Sequence, residues 1–317
     1  MSAHWTQRPE GGGRFAIALI RNFALLCGRG AARLVLYPIT LYFFMRRKPE
    51  RHASRAFLTR VLDRKPTHWD TLRHIHYFAS TILDRVFLLA ESFRRFDVRV
   101  HGLDQLEAEM ARGRGVLLLG AHIGSFEALR VLSLRRPEIN VRVVLDKKQT
   151  PAMTDLLHAL NPRIAAGVID ASGGGTTVVL ALKEAADQGH LIAILADRAR
   201  PQEPTRPVPF FGQPAPFPVA PYLIASALDV PSVLCFGLYR GGNRYDLHFE
   251  CFAERIAIPR REREAHLSQL LRHYTQRLEH YTRLDPYNWF NFYDFWEIHD
   301  AADVVPAGAV GERAGGT

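Results

Sequence analysis

The chain of 317 residues has few cysteines and few lysines. Its three cysteines (Cys27, Cys235 and Cys251) are far apart and form no Cys-x-x-Cys pair, which excludes a disulfide framework and a zinc ribbon. Isolated cysteines in odd number are typical of reduced proteins, so we expect a reducing, cytoplasmic-side compartment. Lysine supplies only 5 of the 41 basic residues, and this bias makes any single arginine a weak indicator of a binding site.

Several functional signatures are also missing. The sequence has no Gly-x-Ser-x-Gly turn, which argues against a serine hydrolase, and the glycine-rich stretch 172–177 lacks the lysine of a P-loop and the spacing of a dinucleotide-binding loop. The aromatic cluster at 287–296 contains no lysine or arginine that could follow a phosphate backbone, so we do not expect nucleic acid as a partner. This cluster is either a belt at lipid headgroup depth or a plug over the sheet.

What is present is the composition of a globular protein, with 47% hydrophobic and 23% charged residues. The formal net charge is +9. Such an excess of positive charge favours a polyanionic partner. An anionic membrane surface and an acidic carrier protein are the two candidates.

Residues 15–45 form the only extended apolar region, but Arg21, Arg29, Arg33 and Pro38 interrupt it. No uninterrupted run reaches the about 20 residues needed to cross a bilayer, and a cleaved signal peptide is not expected. A basic run follows directly, and it consists of Arg46, Arg47, Lys48, Arg51 and Arg55. We therefore predict that residues 1–60 are helices that anchor the chain to one anionic leaflet. A pair of helices packed on the core is the alternative.

After residue 61 the pattern predicts an α/β domain over 61–300, followed by a disordered tail at 301–317. Thr67 and Asp70 form a capping-box pattern that opens a helix. Strands are predicted at 96–100, 115–120, 141–145, 190–196, 231–239 and 245–252, and helices at 104–112, 124–135, 151–160, 176–188, 217–229 and 260–284. This alternation predicts a central, largely parallel mixed sheet flanked by helices, with ligands at the carboxyl ends of the strands.

The strand at 115–120 leads directly into His122, and Glu127 follows five residues later. If His122 precedes the first helical turn, Glu127 could hold one ring nitrogen and leave the other to accept a proton from a substrate hydroxyl. The spacing alone has little weight, because His280 and Asp285 repeat it inside a predicted helix. The preceding strand and the turn at Gly124 select His122.

The segment GAHIGSFE resembles the catalytic block of the bacterial lipid A biosynthesis acyltransferases, the late lauroyl and myristoyl transferases. Residues 181–225 resemble a second block of that family, with a strand that ends in Ala-Asp and a Val-Pro-Phe-Phe-Gly turn. The resemblance extends over about residues 96–285. It implies a glycerolipid acyltransferase-like fold and transfer of a fatty acyl group from a thioester carrier to a hydroxyl of a membrane lipid, with His122 and Glu127 as catalytic residues.

The sequence departs from the family in two places. Lys147 and Lys148 stand where the family usually has an Arg-Pro block, so oxyanion or headgroup contacts would pass to these lysines. Asp197 is followed by Arg198 instead of glutamine, and both are candidate acceptor-binding residues. Backbone N–H groups of Gly124 and Ser125 are further candidates for the oxyanion.

We therefore predict a lipid A-type O-acyltransferase at the cytoplasmic face of the inner membrane. It needs no metal or cofactor, uses acyl-carrier-protein or coenzyme A thioesters as co-substrate, and has acyl carrier protein, a membrane lipid acceptor and the anionic membrane surface as partners. An acyltransferase for another acceptor, such as a glycerolipid or a polyene product, is one alternative. A non-catalytic membrane-surface scaffold with the same fold is the other.

Overall fold

The computed structural model describes residues 13–129, 139–200 and 203–297, with side chains described from residue 19 onward. The predicted tail at 301–317 and residues 130–135 of the predicted helix 124–135 lie outside this part of the chain. The division into an anchor over 1–60 and a catalytic domain over 61–300 stays a prediction, and the structure adds that Phe57 and Leu58 lie in the main hydrophobic core.

A seven-stranded sheet forms the centre of the molecule. In chain order the described strands are β1 (Asp97–His101), β2 (Val116–Gly120), β3 (Val141–Leu145), β4 (Ile169–Asp170), β5 (Leu191–Leu195), β6 (Thr205–Phe210), β7 (Gln213–Pro218), β8 (Ser232–Tyr239) and β9 (Arg244–Ala253). Their order across the sheet is β1-β9-β8-β2-β5-β3-β4, and β6 pairs separately with β7. Strands β2, β3, β4, β5 and β8 run parallel, while β9 and β1 run in the opposite direction. The predicted α/β class with a largely parallel mixed sheet is confirmed.

Helices flank this sheet. The described α-helices are α1 (Gly13–Arg46), α2 (Lys48–Val61), α3 (His68–Leu89), α4 (Leu103–Met110), α5 (Pro151–Leu160), α6 (Pro162–Ala166), α7 (Gly175–Asp187), α8 (Ala220–Leu228) and α9 (Arg263–Leu284). The capping box at the start of α3 is confirmed, because the Asp70 N–H donates to the Thr67 side chain and the Thr67 N–H donates to the Asp70 carboxylate.

All five residues of β2 are buried, as expected for a parallel strand covered on both faces. Strand β8 is buried along its whole length as well. Both strands read in sequence as continuous apolar runs, which is why their positions could be predicted to within one residue. Strand β2 ends at Gly120, so the chain leaves the sheet at residue 121.

The hairpin β6–β7 is absent from the strands predicted above, and β7 includes residues 217 and 218 of the predicted helix 217–229. Helix α8 begins at Ala220 instead. Prolines face prolines in this hairpin, at Pro207 with Pro216 and at Pro209 with Pro214. Because proline has no N–H, such pairs fit only the positions of the ladder that make no backbone hydrogen bonds. So many prolines argue against a strand in the sequence, which is why these two strands were not predicted.

Helix α1 lies along α3 and is kinked at Gly28, whose φ is +80°. Its buried residues Ala24, Ala32, Leu36 and Thr40 follow a spacing of multiples of four, which places them on one helical face. Arg29 is on the protein side too, where its guanidinium contacts both carboxylate oxygens of Asp84 at 2.7 and 2.8 Å. Arg29, one of the three arginines that interrupt the apolar run, therefore points into the protein.

The opposite side of α1 exposes large apolar side chains, namely Leu19, Phe23, Leu25, Leu26, Leu34, Val35, Tyr37, Leu41, Tyr42 and Met45. The stretch Leu19–Arg46 is long and apolar enough, by length and composition, to cross a membrane. A helix with arginine inward and leucine outward is the reverse of an ordinary surface helix in water. The structure thus has one apolar N-terminal helix with an unusual distribution of side chains.

Candidate active site

The carboxyl ends of the parallel strands meet at one edge of the sheet, and the predicted site residues follow them. His122 comes after β2 and Asp197 after β5, and these two strands are direct neighbours with Gly120 opposite Leu195. Lys147 follows β3, which lies on the far side of β5. The topology therefore brings His122 and Asp197 together.

His122 and Asp197 are joined by two contacts. Nδ1 of the imidazole lies 2.8 Å from Oδ1 of Asp197, and the backbone N–H of His122 donates to Oδ2 at 3.1 Å. The indole N–H of Trp289 also donates to Oδ2, at 3.1 Å. Asp197 and Trp289 are fully buried, so the carboxylate is shielded from water and its hydrogen bonds come from the protein.

The charge states of this pair follow from its surroundings. Burial alone would raise the pKa of Asp197, but the charge and hydrogen bonds of His122 together with the charge of Arg198 hold this pKa well below its usual range. Burial, followed by the positive charge of Arg198, lowers the pKa of His122 below its ordinary value of 6.5. At neutral pH the imidazole is therefore neutral beside an ionised carboxylate.

This arrangement fixes the tautomer of His122. An ionised carboxylate only accepts hydrogen bonds, so Nδ1 must carry the proton and donate it to Asp197. Nε2 is then the acceptor nitrogen, and 34% of the His122 side chain is exposed. A neutral imidazole with an oriented, accessible Nε2 is suited to take a proton from a hydroxyl group.

Arg198 lies beside the pair. Its side chain is only 10% exposed, and its Nε is 3.7 Å from Oδ2 of Asp197. One terminal nitrogen donates to the backbone carbonyl of Phe290, and the guanidinium lies 5.3 Å from the ring centre of Tyr293. Arg198 therefore places a fixed positive charge next to His122.

The predicted contact between Glu127 and His122 is wrong for this structure, since Asp197 binds Nδ1. Oε1 of Glu127 lies 2.7 Å from Nε of Arg85 on α3, and Oε2 accepts a hydrogen bond from the Ser125 hydroxyl at 3.1 Å. The chain after His122 pairs with neighbouring backbone through Ile123 and Gly124 before it turns. Glu127 then falls in a short 3-10 helix (Phe126–Leu129), which directs it towards α3.

The structure argues against the backbone N–H groups of Gly124 and Ser125 as donors to the oxyanion. The Gly124 N–H donates to the carbonyl of Asn288 at 2.8 Å, and the Ser125 N–H donates to the carbonyl of Gly237 at 2.7 Å. Both groups are therefore already used inside the protein. Gly124 has a φ of +61°, and a Cβ at this position would overlap the carbonyl oxygen of Gly237. Its role is to let the backbone turn in close contact with β8.

The structure places Lys147 and Lys148 away from the His122 pair. Both lie in the turn after β3, where the Lys147 N–H donates to Asp170 at 3.3 Å and the Lys148 N–H donates to Asp146 at 3.1 Å. Strand β5 separates this turn from β2. Among the described residues, neither lysine contacts His122, whereas Arg198 is close to it.

Two residues of the site were not assigned a role from the sequence. Trp289 belongs to the aromatic cluster at 287–296, and the structure favours the plug over the lipid belt because Trp289, Phe290 and Phe295 are buried in the core. Arg85 is half-buried near the C-terminal end of α3, and nothing in its local pattern marks it as the partner of Glu127. The aromatic density was the signal for Trp289, whereas Arg85 had none.

The chain was compared with models of protein families. The family model described as bacterial lipid A biosynthesis acyltransferase matches residues 80–297, which is more than half of the chain and includes β2, β5 and the aromatic cluster. The comparison with curated proteins gives no match.

Proposed function

Because this chain belongs to the family of bacterial lipid A biosynthesis acyltransferases, we propose that it transfers a fatty acyl group from a thioester carrier to a hydroxyl of a lipid A-type membrane acceptor. The observation that supports this reaction best is the contact of 2.8 Å between His122 and Asp197, which leaves Nε2 of a neutral imidazole as a base. General-base removal of a hydroxyl proton is the step that direct acyl transfer to an alcohol requires.

In the proposed reaction, Nε2 of His122 takes the proton of the acceptor hydroxyl while its oxygen attacks the thioester carbonyl carbon. The new C–O bond forms, and the electron pair of the carbonyl moves to its oxygen. When this oxyanion collapses, the C–S bond breaks and the thiolate leaves with the proton from the imidazolium. Asp197 stabilises the transient imidazolium, as an ionised carboxylate at Nδ1 does in related dyads.

Arg198 is our candidate for stabilising the oxyanion in place of Gly124 and Ser125. It is the buried cation next to His122, and a fixed charge in a site of low dielectric stabilises a developing negative charge strongly. Glu127 supports the site indirectly in this mechanism, because it links the loop after His122 to Arg85 on α3. Lys147 and Lys148 remain candidates for contacts with the acceptor headgroup.

We further propose that the protein works at the cytoplasmic face of the inner membrane and takes its acyl group from acyl carrier protein or coenzyme A. The exposed apolar side of α1 and the basic run after it support a membrane surface. The net charge of +9 supports an acidic carrier protein as the donor.

The test is an incubation of the purified full chain with membranes that contain lipid A precursors and with an isotope-labelled acyl thioester of acyl carrier protein, followed by mass spectrometry of the lipids. We expect a labelled, acylated lipid A species, and we expect His122→Ala to lower the rate by about 10²- to 10⁴-fold. His280→Ala is the control, since His280 is an exposed residue of α9 that repeats the His-x4-Asp spacing. Coenzyme A thioesters in parallel reactions identify the donor.

The other outcomes separate the alternatives. A labelled lipid other than lipid A would show that the acceptor is a different lipid and would leave the proposed acyl-transfer chemistry in place. No labelled lipid with any donor, from protein that is folded and bound to membranes, would favour the non-catalytic scaffold. Full activity of His122→Ala would remove His122 from the mechanism.

A further inference from the structure

A second group of side chains with ligand chemistry lies at the β1–β9 side of the sheet. His101 on β1 and His248 on β9 are direct partners in the parallel register. Their rings are stacked with centroids 4.6 Å apart and planes at 11°. Asp246 precedes His248 by two residues, so it lies on the same face of β9. One ligand atom from each of these three residues lies within 4.8 Å of the others.

Within the described part of the chain, one ring nitrogen of His248 is left without a hydrogen bond. Its Nε2 is buried, and it has no hydrogen-bond partner among the described residues. A buried polar atom without a partner is rare in native proteins and calls for an explanation.

Asp246 is held in place by a cation. Nε of Arg240 contacts Oδ2 of Asp246 at 2.8 Å, and a terminal nitrogen of the same guanidinium lies 3.7 Å from Asp285. An outer partner of this kind orients a ligating carboxylate and leaves its other oxygen for the metal. The three side chains therefore form a set of two imidazoles and one carboxylate.

From this geometry we propose that His101, Asp246 and His248 bind one divalent transition-metal ion of the Zn²⁺ type. Imidazole and carboxylate ligands suit Zn²⁺, Co²⁺, Ni²⁺ and Cu²⁺, whereas Mg²⁺ and Ca²⁺ prefer oxygen alone. Ligands on one zinc ion are at most about 4 Å apart. Because the lone pair of an imidazole nitrogen lies in the ring plane, binding requires one of the two stacked rings to rotate out of the stack. Water completes the coordination.

The site is structural in this proposal. Strands β9 and β1 are two and three positions from β2 in the sheet, which corresponds to about 10 and 15 Å from the strand that leads to His122. The ion would link the edge strand β1 to β9, next to Tyr281 of α9, whose ring lies 5.2 Å from that of His248. The inference is independent of the proposed acyl transfer, because it concerns the stability of the fold and not the reaction at His122.

The test uses the full chain, without an affinity tag and treated with a chelator, in titrations with Zn²⁺ by calorimetry and with Co²⁺ by its visible absorption. We expect one ion per chain, a rise in melting temperature on binding, and absorption typical of imidazole-ligated Co²⁺. His248→Ala and His101→Ala should each weaken binding by at least about 10-fold. His52→Ala, an exposed histidine on α2, is the matched control and should bind as the wild type does.

His101 is exposed, so His101→Ala keeps the test valid even if His248→Ala does not fold. Binding only in the millimolar range, or equal loss of binding in His52→Ala, would overturn the proposal. A metal-dependent melting temperature in both His101→Ala and His248→Ala would overturn it as well. Acyl transfer measured in the same samples separates this result from the proposed function, because loss of the ion should lower the melting temperature and leave the pH profile of the reaction unchanged.

Discussion

At the scale of single residues, the His122–Asp197 pair shows why local spacing was an insufficient guide to the site. The His-x4-Glu pattern pointed to Glu127, which is near in sequence, whereas the residue that binds Nδ1 is 75 positions away. The sequence placed both His122 and Asp197 at the carboxyl edge of the sheet. It could not indicate that β2 and β5 are neighbours, because strand order depends on packing across the whole domain.

The charges around His122 predict the pH dependence of the reaction. His122 must be neutral to act as a base, so activity should rise with pH through its pKa, with a midpoint below the ordinary value of 6.5. Arg198→Gln removes a positive charge that lowers this pKa, so the acid limb should move to higher pH. Asp197→Asn removes a negative charge that raises the pKa, so the limb should move to lower pH, with a loss of about 10²- to 10⁴-fold in kcat.

Profiles of kcat against pH for the two variants and the wild type check these signs. Arg163→Gln on α6 is the control for a general change in surface charge and should leave the profile in place. The two variants, Arg198→Gln and Asp197→Asn, should shift the acid limb of the profile in opposite directions. Shifts in the same direction would contradict the opposite effects that we assign to these two charges on the pKa of His122.

At the scale of elements, most strands could be predicted because parallel, buried strands appear as apolar runs with clear ends. Strand β3 agrees with its prediction residue for residue, at Val141–Leu145. The short strand β4 and the proline-rich hairpin escaped prediction, the first because two residues give no periodicity and the second because proline is unfavourable in strands. Strands whose own residues form an apolar run could be predicted from the sequence. Strands that form only by pairing with a neighbouring segment could not.

The turn between β2 and the 3-10 helix gives a prediction about Gly124. Gly124→Ala places a methyl group against the carbonyl of Gly237 at a φ of +61°, so it should reduce both stability and activity. Overpacking costs about 1–3 kcal/mol in addition to the about 1–2 kcal/mol of the left-handed backbone. Thermal melting and the rate of acyl transfer measure the two effects.

Gly113→Ala is the matched control for this turn. Its φ is +74°, but nothing lies within 4 Å of the added Cβ, so only the backbone cost remains. Equal melting temperatures for Gly113→Ala and Gly124→Ala would show that contact with β8 does not define this turn.

At the scale of the whole molecule, α1 exposes an apolar face, and our proposal is that this face contacts lipid. Leu26 and Leu34 are 86% and 70% exposed on this face, whereas Leu36 is 4% exposed and packs towards α3. Burial of a leucine side chain contributes about 1.5–3 kcal/mol. The double change Leu26→Asn with Leu34→Asn should therefore weaken binding to anionic vesicles by about 10-fold or more and leave the melting temperature unchanged.

Vesicle sedimentation with purified protein measures this binding. Leu180→Asn, which changes a leucine 65% exposed on α7, should bind vesicles as the wild type does. Leu36→Asn should instead lower the melting temperature, because it places a polar group in a buried position. Unchanged vesicle binding of the double variant would show that the apolar side of α1 does not face the membrane.

The buried pair of Arg29 and Asp84 has a consequence for how the protein can be produced. The hydroxyl of Tyr245 donates to the same carboxylate at 2.9 Å, so a single group joins the first helix to α3 and to strand β9. Removing the first 46 residues to obtain a more soluble enzyme would take away the guanidinium that binds Asp84 and uncover the face of α3 on which α1 packs, so the truncated protein should be less stable. Detergents or nanodiscs with the intact chain are therefore the sound route to purified material.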